Sequence, residues 1–328
     1  MDRRKFIGGV ALGIVVAPLA AGAQPAVKVR QIAVLWGGTA STFAPGNDAL
    51  RQGLRERGWD EGQNTAFVTR FAEGKLERLP DLAAELVALK VDMCITAGSE
   101  ATRAAKDATS SIPIVFIRPS YPVEEGLVAS FSRPGGNITG ITLAQSDHVS
   151  KHLQLLRDTV PALLDVAVIN SPANPGSSFT LKDTESVAVP LGIRIHSVPM
   201  GSADDVDRAL ATIARLTPGA LVVHPVPLVF THAQRISELA LKLRAPSITA
   251  AKELAERGLL MSYGADVRDL WRRGVASYVD RVLKGAKPAD LPVQRPTKFE
   301  FAINLKTAKT IGLTIPPPLL LRADEVIQ

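Results

Sequence analysis

The sequence predicts an α/β protein of two doubly wound parallel-sheet lobes joined by a hinge. Three observations predict it. Short β-branched runs alternate with segments of helical spacing along most of the chain. The strand-like runs are continuously apolar, as expected for strands buried on both faces of a parallel sheet. The series then starts afresh after Gly140, and 328 residues exceed what one core usually supports.

In the first series, residues 31–36 read as a strand closed by Gly37-Gly38. Residues 47–57 carry Leu50 and Leu54 at helical spacing and stop at Gly58. A strand over 65–71 follows, then a helix over 76–89, a strand over 92–96, a helix over 100–108 and a strand over 114–117. Pro134-Gly135-Gly136-Asn137 is a turn cluster near the first boundary. The second series opens with a helix over 148–159 and strands over 166–170 and 193–198. A helix over 206–216, a strand over 220–224, a helix over 233–243 and a strand over 247–249 complete it. A helix over 266–283, a Pro-rich stretch over 288–296 and apolar pieces around 299–305 and 319–326 follow, and this ending is expected to return between the lobes. The expected division is a leader over 1–23, a first lobe over 24–143 with a return segment at about 265–295, and a second lobe over 144–264 with a C-terminal segment at about 296–328.

Residues 1–23 have the pattern of an export signal. Arg3, Arg4 and Lys5 precede an uncharged Ala/Gly-rich run from Phe6 to Ala20, and Ala21-Gly22-Ala23 offers a small-x-small cleavage site before Gln24. A membrane anchor is the alternative, since residues 6–27 are uncharged, but Pro18 and the missing basic stop disfavour it. Arg3-Arg4-Lys5-Phe6-Ile7 also fits a twin-arginine signature, with the Sec route the other possibility. The only cysteine, Cys94, lies far from this leader, so a lipoprotein is not expected. The mature chain is expected in the periplasm, away from cytoplasmic nucleotides and the chromosome.

Composition removes further classes. Arg3, Arg4 and Lys5 against Asp2 carry +2 of the net +6, leaving +4 on the mature chain. Those charges are interspersed, which gives no support to nucleic-acid binding. One cysteine permits no internal disulfide, and Cys94 in its apolar run reads as a buried strand residue. No phosphate-cradling glycine motif, nucleophile elbow or H-E-x-x-H occurs, so no cofactor and no catalytic residue is expected. His148 and His152 have a spacing that could hold a metal, but without a third ligand they read as a solvated helix face. Asp204-Asp205-Val206-Asp207 reads as helix N-terminal charge, and the adjacent Glu124 and Glu125 as diverging loop residues.

Ligands of such sheets sit beyond the carboxyl ends of the strands, where helix N-termini point free N–H groups outward. That rule nominates loops 37–47, 97–102 and 118–125 in the first lobe. It nominates 171–179 and 224–231 in the second, with 263–266 at a possible crossing. If the lobes face each other, these loops line one cleft.

Several longer motifs are similar to those of a family of extracytoplasmic solute-binding proteins of ABC transporters. They include Gly126-Leu127-Val128-Ala129-Ser130, Arg133-Pro134-Gly135-Gly136-Asn137-Ile138-Thr139-Gly140 and Lys284-Gly285-Ala286-Lys287-Pro288. Pro296-Thr297-Lys298-Phe299-Glu300, Ile303-Asn304-Leu305-Lys306 and the ending Arg322-Ala323-Asp324-Glu325-Val326-Ile327 match most closely. The resemblance implies a type I periplasmic-binding fold that clamps a solute by hinge closure and delivers it to permease subunits in the inner membrane, as a monomer and without catalysis. Some relatives are similar to receptors for tryptophan or other aromatic amino acids.

One departure is specific to this chain. Where the family carries Asp-Pro-Val-Gly, this sequence has Tyr121-Pro122-Val123-Glu124, preceded by Arg118-Pro119-Ser120. Losing an aspartate that could meet an ammonium, and gaining Tyr121 and Arg118, points to an anionic acid, with an aromatic one among the options, over an amino acid, unless Glu100 or Glu124 replaces the lost carboxylate. The other candidate ligand residues are Trp36, Thr39, Ser41 and Ser99 in the first lobe, Asn174, Ser177 and Phe179 in the second, and Tyr263. Thr39, Ser41 and Ser99 suit helix capping equally well, and Trp59 and Trp271 read as packing residues. The expected function is the solute receptor of an ABC importer, for an aromatic or other carboxylate or an amino acid. A sensor subunit for a membrane signalling partner is the alternative.

Overall fold

A computed structural model of the chain describes residues 28–143, 145–172 and 174–328. The leader read over residues 1–23 lies outside the described residues. The first sheet contains β1 (Arg30–Trp36), β2 (Thr65–Phe71), β3 (Met93–Ala97), β4 (Ile114–Ile117) and β5 (Ile138–Ile141), in the order β2-β1-β3-β4-β5 and all parallel. Helices α1 (Ala40–Arg55), α2 (Leu79–Ala88) and α3 (Ser99–Ala108) connect its strands. Alternate residues of the strands feed two separate apolar clusters, so both faces are covered, as uninterrupted apolar strands require. Cys94 is 5% exposed between α2 and α3, and burial pushes its thiol up to about 12.

The second lobe runs through α4 (Gln145–Thr159), β6 (Asp165–Asn170), α5 (Pro175–Ala188), β7 (Arg194–Pro199), α6 (Asp205–Leu216) and β8 (Ala220–Val223). It continues with α7 (Pro227–Thr231), α8 (Ala233–Lys242), β9 (Ser247–Thr249), α9 (Lys252–Glu256) and β10 (Met261–Ala265). The chain then returns to the first lobe through α10 (Val267–Asp269), a π-helical turn (Leu270–Val275) and α11 (Ala276–Leu283). These pack on α1, with Trp271 edge-on to Phe43 at 5.6 Å and the Trp59 indole donating to Asp280 at 2.8 Å. Finally β11 (Phe299–Asn304) pairs antiparallel with β10, and α12 (Leu305–Ile311), α13 (Pro317–Leu320) and β12 (Glu325–Ile327) follow. The seven-stranded order is β12-β11-β10-β9-β8-β6-β7. Among the described residues no helix is long and apolar enough to cross a membrane.

Several elements differ from the sequence reading, which placed no element at α7, α9 or β10. Helix α1 starts at Ala40, ahead of the expected residue 47, despite Pro45 inside it. Thr39 and Thr42 close a reciprocal capping box there, and Phe43 packs between Trp36 and Trp271, so packing overrides poor helix formers. Strand β5 and helix α5 were not expected at all. Gly140 and the preceding turn cluster hide the first, and a Pro/Ser-rich beginning hides the second. His148 and His152 are not on a solvated face: they are 2% and 5% exposed, packed against Tyr263 and Phe299.

Candidate binding site

The carboxyl ends of β1, β3 and β4 face those of β8 and β9 across a cavity of about 610 Å³. That size lies within the range of small-molecule sites. The first lobe supplies an aromatic wall. Trp36 ends β1, and its indole lies so close over Gly38 that a Cβ there would stand 2.6 Å from Nε1. The Trp36 N–H donates to Thr42 Oγ1 at 3.2 Å, and its ring meets Phe43 at 5.5 Å. Trp271 completes the wall from the return segment.

Arg118 follows β4 with φ +83°, a left-handed conformation unfavourable for a side chain. Its guanidinium lies 6.0 Å above the Phe230 ring of the opposite lobe. It makes no hydrogen bond or ion pair within the described residues, and Glu253 is the charge that most offsets the cost of burying it. A desolvated planar cation without a carboxylate of its own is an acceptor site for one. Two other cations of the wall are engaged, Lys252 with Glu325 and Arg257 with the Phe230 carbonyl at 3.1 Å, while Arg268 is exposed to solvent.

Carboxylates also reach the cavity. Glu100 stands in the first turn of α3, where burial pushes its carboxyl up to about 7 against a hydrogen bond from Asn174. Glu253 and Glu256 come from α9, and Asp266 caps α10 while pairing with Lys298 at 2.7 Å. His224, at the end of β8, is 7% exposed, with Nε2 unpartnered among the described residues, and burial holds its imidazole neutral down to about 4.

Eight nominated residues line this cavity: Trp36, Thr39, Ser41, Ser99, Glu100, Arg118, Asn174 and Ser177. Several hydroxyls have structural work as well. Thr39 Oγ1 accepts from the Thr42 N–H, and Ser177 Oγ accepts from the Ser171 N–H at 3.0 Å. Three nominated residues lie outside the wall. Tyr121 turns toward α5, where its hydroxyl donates to Asp183 at 2.5 Å and its ring packs on Phe179 at 5.3 Å. Tyr263 points from β10 into the aromatic cluster with Phe299, His148 and His152. The wall therefore keeps carboxylates: Tyr121 is not in the cavity, whereas Glu100 and Glu253 are. Sequence reasoning missed the α9 residues and did not single out His224. The carboxyl-end rule applied to β9 would have found α9, but a strand of three residues gave it little to work from.

The sequence pattern of the family described as "ABC transporter substrate binding protein" matches residues 43–327. The chain is similar to a tyrosine-binding protein of Clostridioides difficile (strain R20291), 25% identical over 278 residues that cover 82% of this chain and 78% of the relative. It is similar to a solved conserved domain protein of Vibrio cholerae O1 biovar El Tor, with TM-score 0.85, 25% identity, and coverage of 91% of this chain and 100% of that one. A further solved structure, an ABC domain in complex with L-Trp from Streptococcus pneumonia, gives TM-score 0.84 at 23% identity, covering 92% and 100%. The architecture is the two-lobed type I periplasmic-binding fold. With a family match across both lobes and a cavity between them, the chain belongs to the ABC transporter substrate binding protein family, whose members are extracytoplasmic solute-binding proteins and not enzymes.

Proposed function

We propose that this chain is the receptor of an ABC importer and that it captures an aromatic amino acid, or a close aromatic carboxylate, between its lobes. The observation that carries this reading is Arg118, a half-buried guanidinium without an ion-pair partner among the described residues, beside the Trp36–Phe43–Trp271 wall. Arg118 takes the carboxylate and the indole of Trp36 stacks on the ring. Glu100, with Glu253 across the cleft, faces the ammonium. The similarity to a tyrosine-binding protein and to an L-Trp complex supports the same class. Thr39, Ser41, Ser99, Asn174 and Ser177 complete the contact set, with His224 as a neutral hydrogen-bonding group.

No covalent step is involved; the solute stabilises the closed state because only there do both lobes touch it. The receptor works as an exported monomer, cleaved before Gln24, and hands its solute to membrane permease subunits.

The test is thermal unfolding of refolded, ligand-free protein with L-tyrosine, L-tryptophan, 3-(4-hydroxyphenyl)propionate and succinate. A solute at a hundredfold excess over its dissociation constant adds about 2.7 kcal/mol, which at this size raises the midpoint by several degrees. Shifts with the two amino acids and a smaller one with the amine-free acid are expected. A shift with succinate alone would reject the aromatic reading, and no shift with any of the four would reject the proposed solute class.

A further inference from the structure

The seam between the lobes is held by contacts that need no solute. Tyr121 belongs to the first lobe and Asp183 to α5 of the second, and the Tyr121 hydroxyl donates to Asp183 Oδ2 at 2.5 Å. The Tyr121 ring packs on Phe179, one turn earlier on α5, with centroids 5.3 Å apart and planes inclined by 37°. Tyr121 is 8% exposed, so separating the lobes would return a ring and a charge-assisted hydrogen bond to water. None of these three residues lines the cavity.

Two further groups join the seam. Glu125, four residues after Tyr121, is 8% exposed and accepts hydrogen bonds from Ser99 and from the Tyr121 N–H. Its Oε1 stands so close to the first turn of α5 that a Cβ on Gly176 would lie 2.7 Å away, and a side chain there would push the Glu125 carboxylate aside. Glu100 accepts from the side chain of Asn174, the residue that caps α5. The first lobe thus presses two carboxylates against the N-terminal end of a helix on the second, an arrangement the helix dipole favours.

A receptor closed by its solute alone has no use for a half-buried aromatic pair and a partly buried hydroxyl–carboxylate bond outside the solute cavity. We propose that Tyr121, Phe179 and Asp183 form a solute-independent clasp that biases the empty receptor toward closure and slows solute release. Tyr121 is then a positioning residue for binding, acting through the lobe equilibrium instead of touching the solute. Closure of the empty protein goes beyond the solute reading above, whereas slowed release rests on it.

The test is single-molecule energy transfer on refolded, ligand-free protein, with dyes attached through Glu77→Cys in the first lobe and Ala203→Cys in the second. Both positions are exposed, and buried Cys94 will not compete for label. Tyr121→Phe keeps the ring and removes the hydroxyl; Asp183→Ala breaks the same bond from the other side. A hydrogen bond to a charged group corresponds to about 10- to 100-fold in an equilibrium constant. Each variant should therefore lower the closed-to-open ratio of the empty protein by about 10-fold or more, and Asp183→Asn, which keeps an acceptor, should restore part of it. With L-tyrosine as probe, the dissociation rate should rise by a similar factor while the association rate stays within about threefold. Equal empty-state distributions in wild type, Tyr121→Phe and Asp183→Ala would overturn the clasp. A variant that lowers only the unfolding midpoint, without moving that distribution, would do the same. If L-tyrosine and L-tryptophan close none of the proteins, the solute reading fails while the empty-state comparison still decides the clasp.

Discussion

At the residue scale, the cleft is a set of groups whose ordinary solvation has been withdrawn. Arg118 is half-buried on a left-handed backbone, a cost that a plain loop residue would not retain. Arg118→Met should weaken L-tyrosine binding by about 10- to 100-fold, the worth of a hydrogen bond to a charged group. The unfolding midpoint of the empty protein should hold or rise, because a desolvated charge has gone. Titration calorimetry and an unliganded melt read the two effects separately. Trp36 gives a second handle, since it is the half-buried tryptophan on the cavity wall while Trp271 is 1% exposed. Solute binding should change tryptophan emission, and Trp36→Phe should remove most of that change while leaving affinity within about tenfold, one ring still being present to stack.

Single side chains were also the hardest thing to read from sequence. Arg118, Glu100 and Trp36 follow from their places at strand ends and helix starts, because the fold rule fixes where those backbones point. Tyr121, Phe179 and Tyr263 did not, because a loop or lobe-edge ring can turn either way, and burial against an unseen partner decides which. His148 and His152 show the same limit. The four-residue spacing marked one helix face, but which face met water depended on β10 and β11, far away in sequence.

At the element scale, the apolar runs carried most of the fold. β2, β4 and β9 were legible to the residue over 65–71, 114–117 and 247–249, and β1 within one residue, because continuous β-branched strands leave few alternatives. The elements that escaped are those whose local composition argues against them. α1 begins among Ser, Thr, Pro and Gly, and β5 contains Gly140, whose absent side chain admits the Phe116 backbone: a Cβ would stand 2.0 Å from its carbonyl oxygen. Phe116, fully buried in β4, is the natural probe of this sheet. Phe116→Ala should cost about 3–5 kcal/mol in urea unfolding. A loss under about 1 kcal/mol would mean that the sheet collapses readily around the vacancy.

For the whole molecule, acid sensitivity follows from three buried histidines and the half-buried Glu100. His148, His152 and His224 are held neutral down to about 4 by burial, against 6.5 for the free side chain. The unfolded chain therefore takes up protons on them first, and their contribution to stability is lost as pH falls from 6.5 toward 4. Glu100 works the other way. Its carboxyl is raised to about 7 from 4.5, so the folded state holds that proton longer and loses stability as pH rises through this window. Near pH 5.5 three protons favour the unfolded chain and one the folded chain, a net of two, which makes acid destabilising by about 2–3 kcal/mol per pH unit at most. Urea midpoints at pH 5.5 and 7.5 should differ in that direction. His148→Leu should flatten the slope, since both His148 ring nitrogens lack partners among the described residues. An unchanged slope would place the acid sensitivity elsewhere.

The path of the chain between the sheets also sets an order of assembly. The helical return over 267–283 completes the face of the first sheet that holds Phe43 and Leu50, and it is made before β11 and β12. The second sheet must wait for those last strands, because β11 covers the flank of β10 and Asp324 reaches back to bond the Phe301 N–H at 2.8 Å. During synthesis the first lobe can therefore bury its core while β10 still shows an open edge. That edge is the stage at which a growing or freshly exported chain is most exposed to mispairing with another copy of itself.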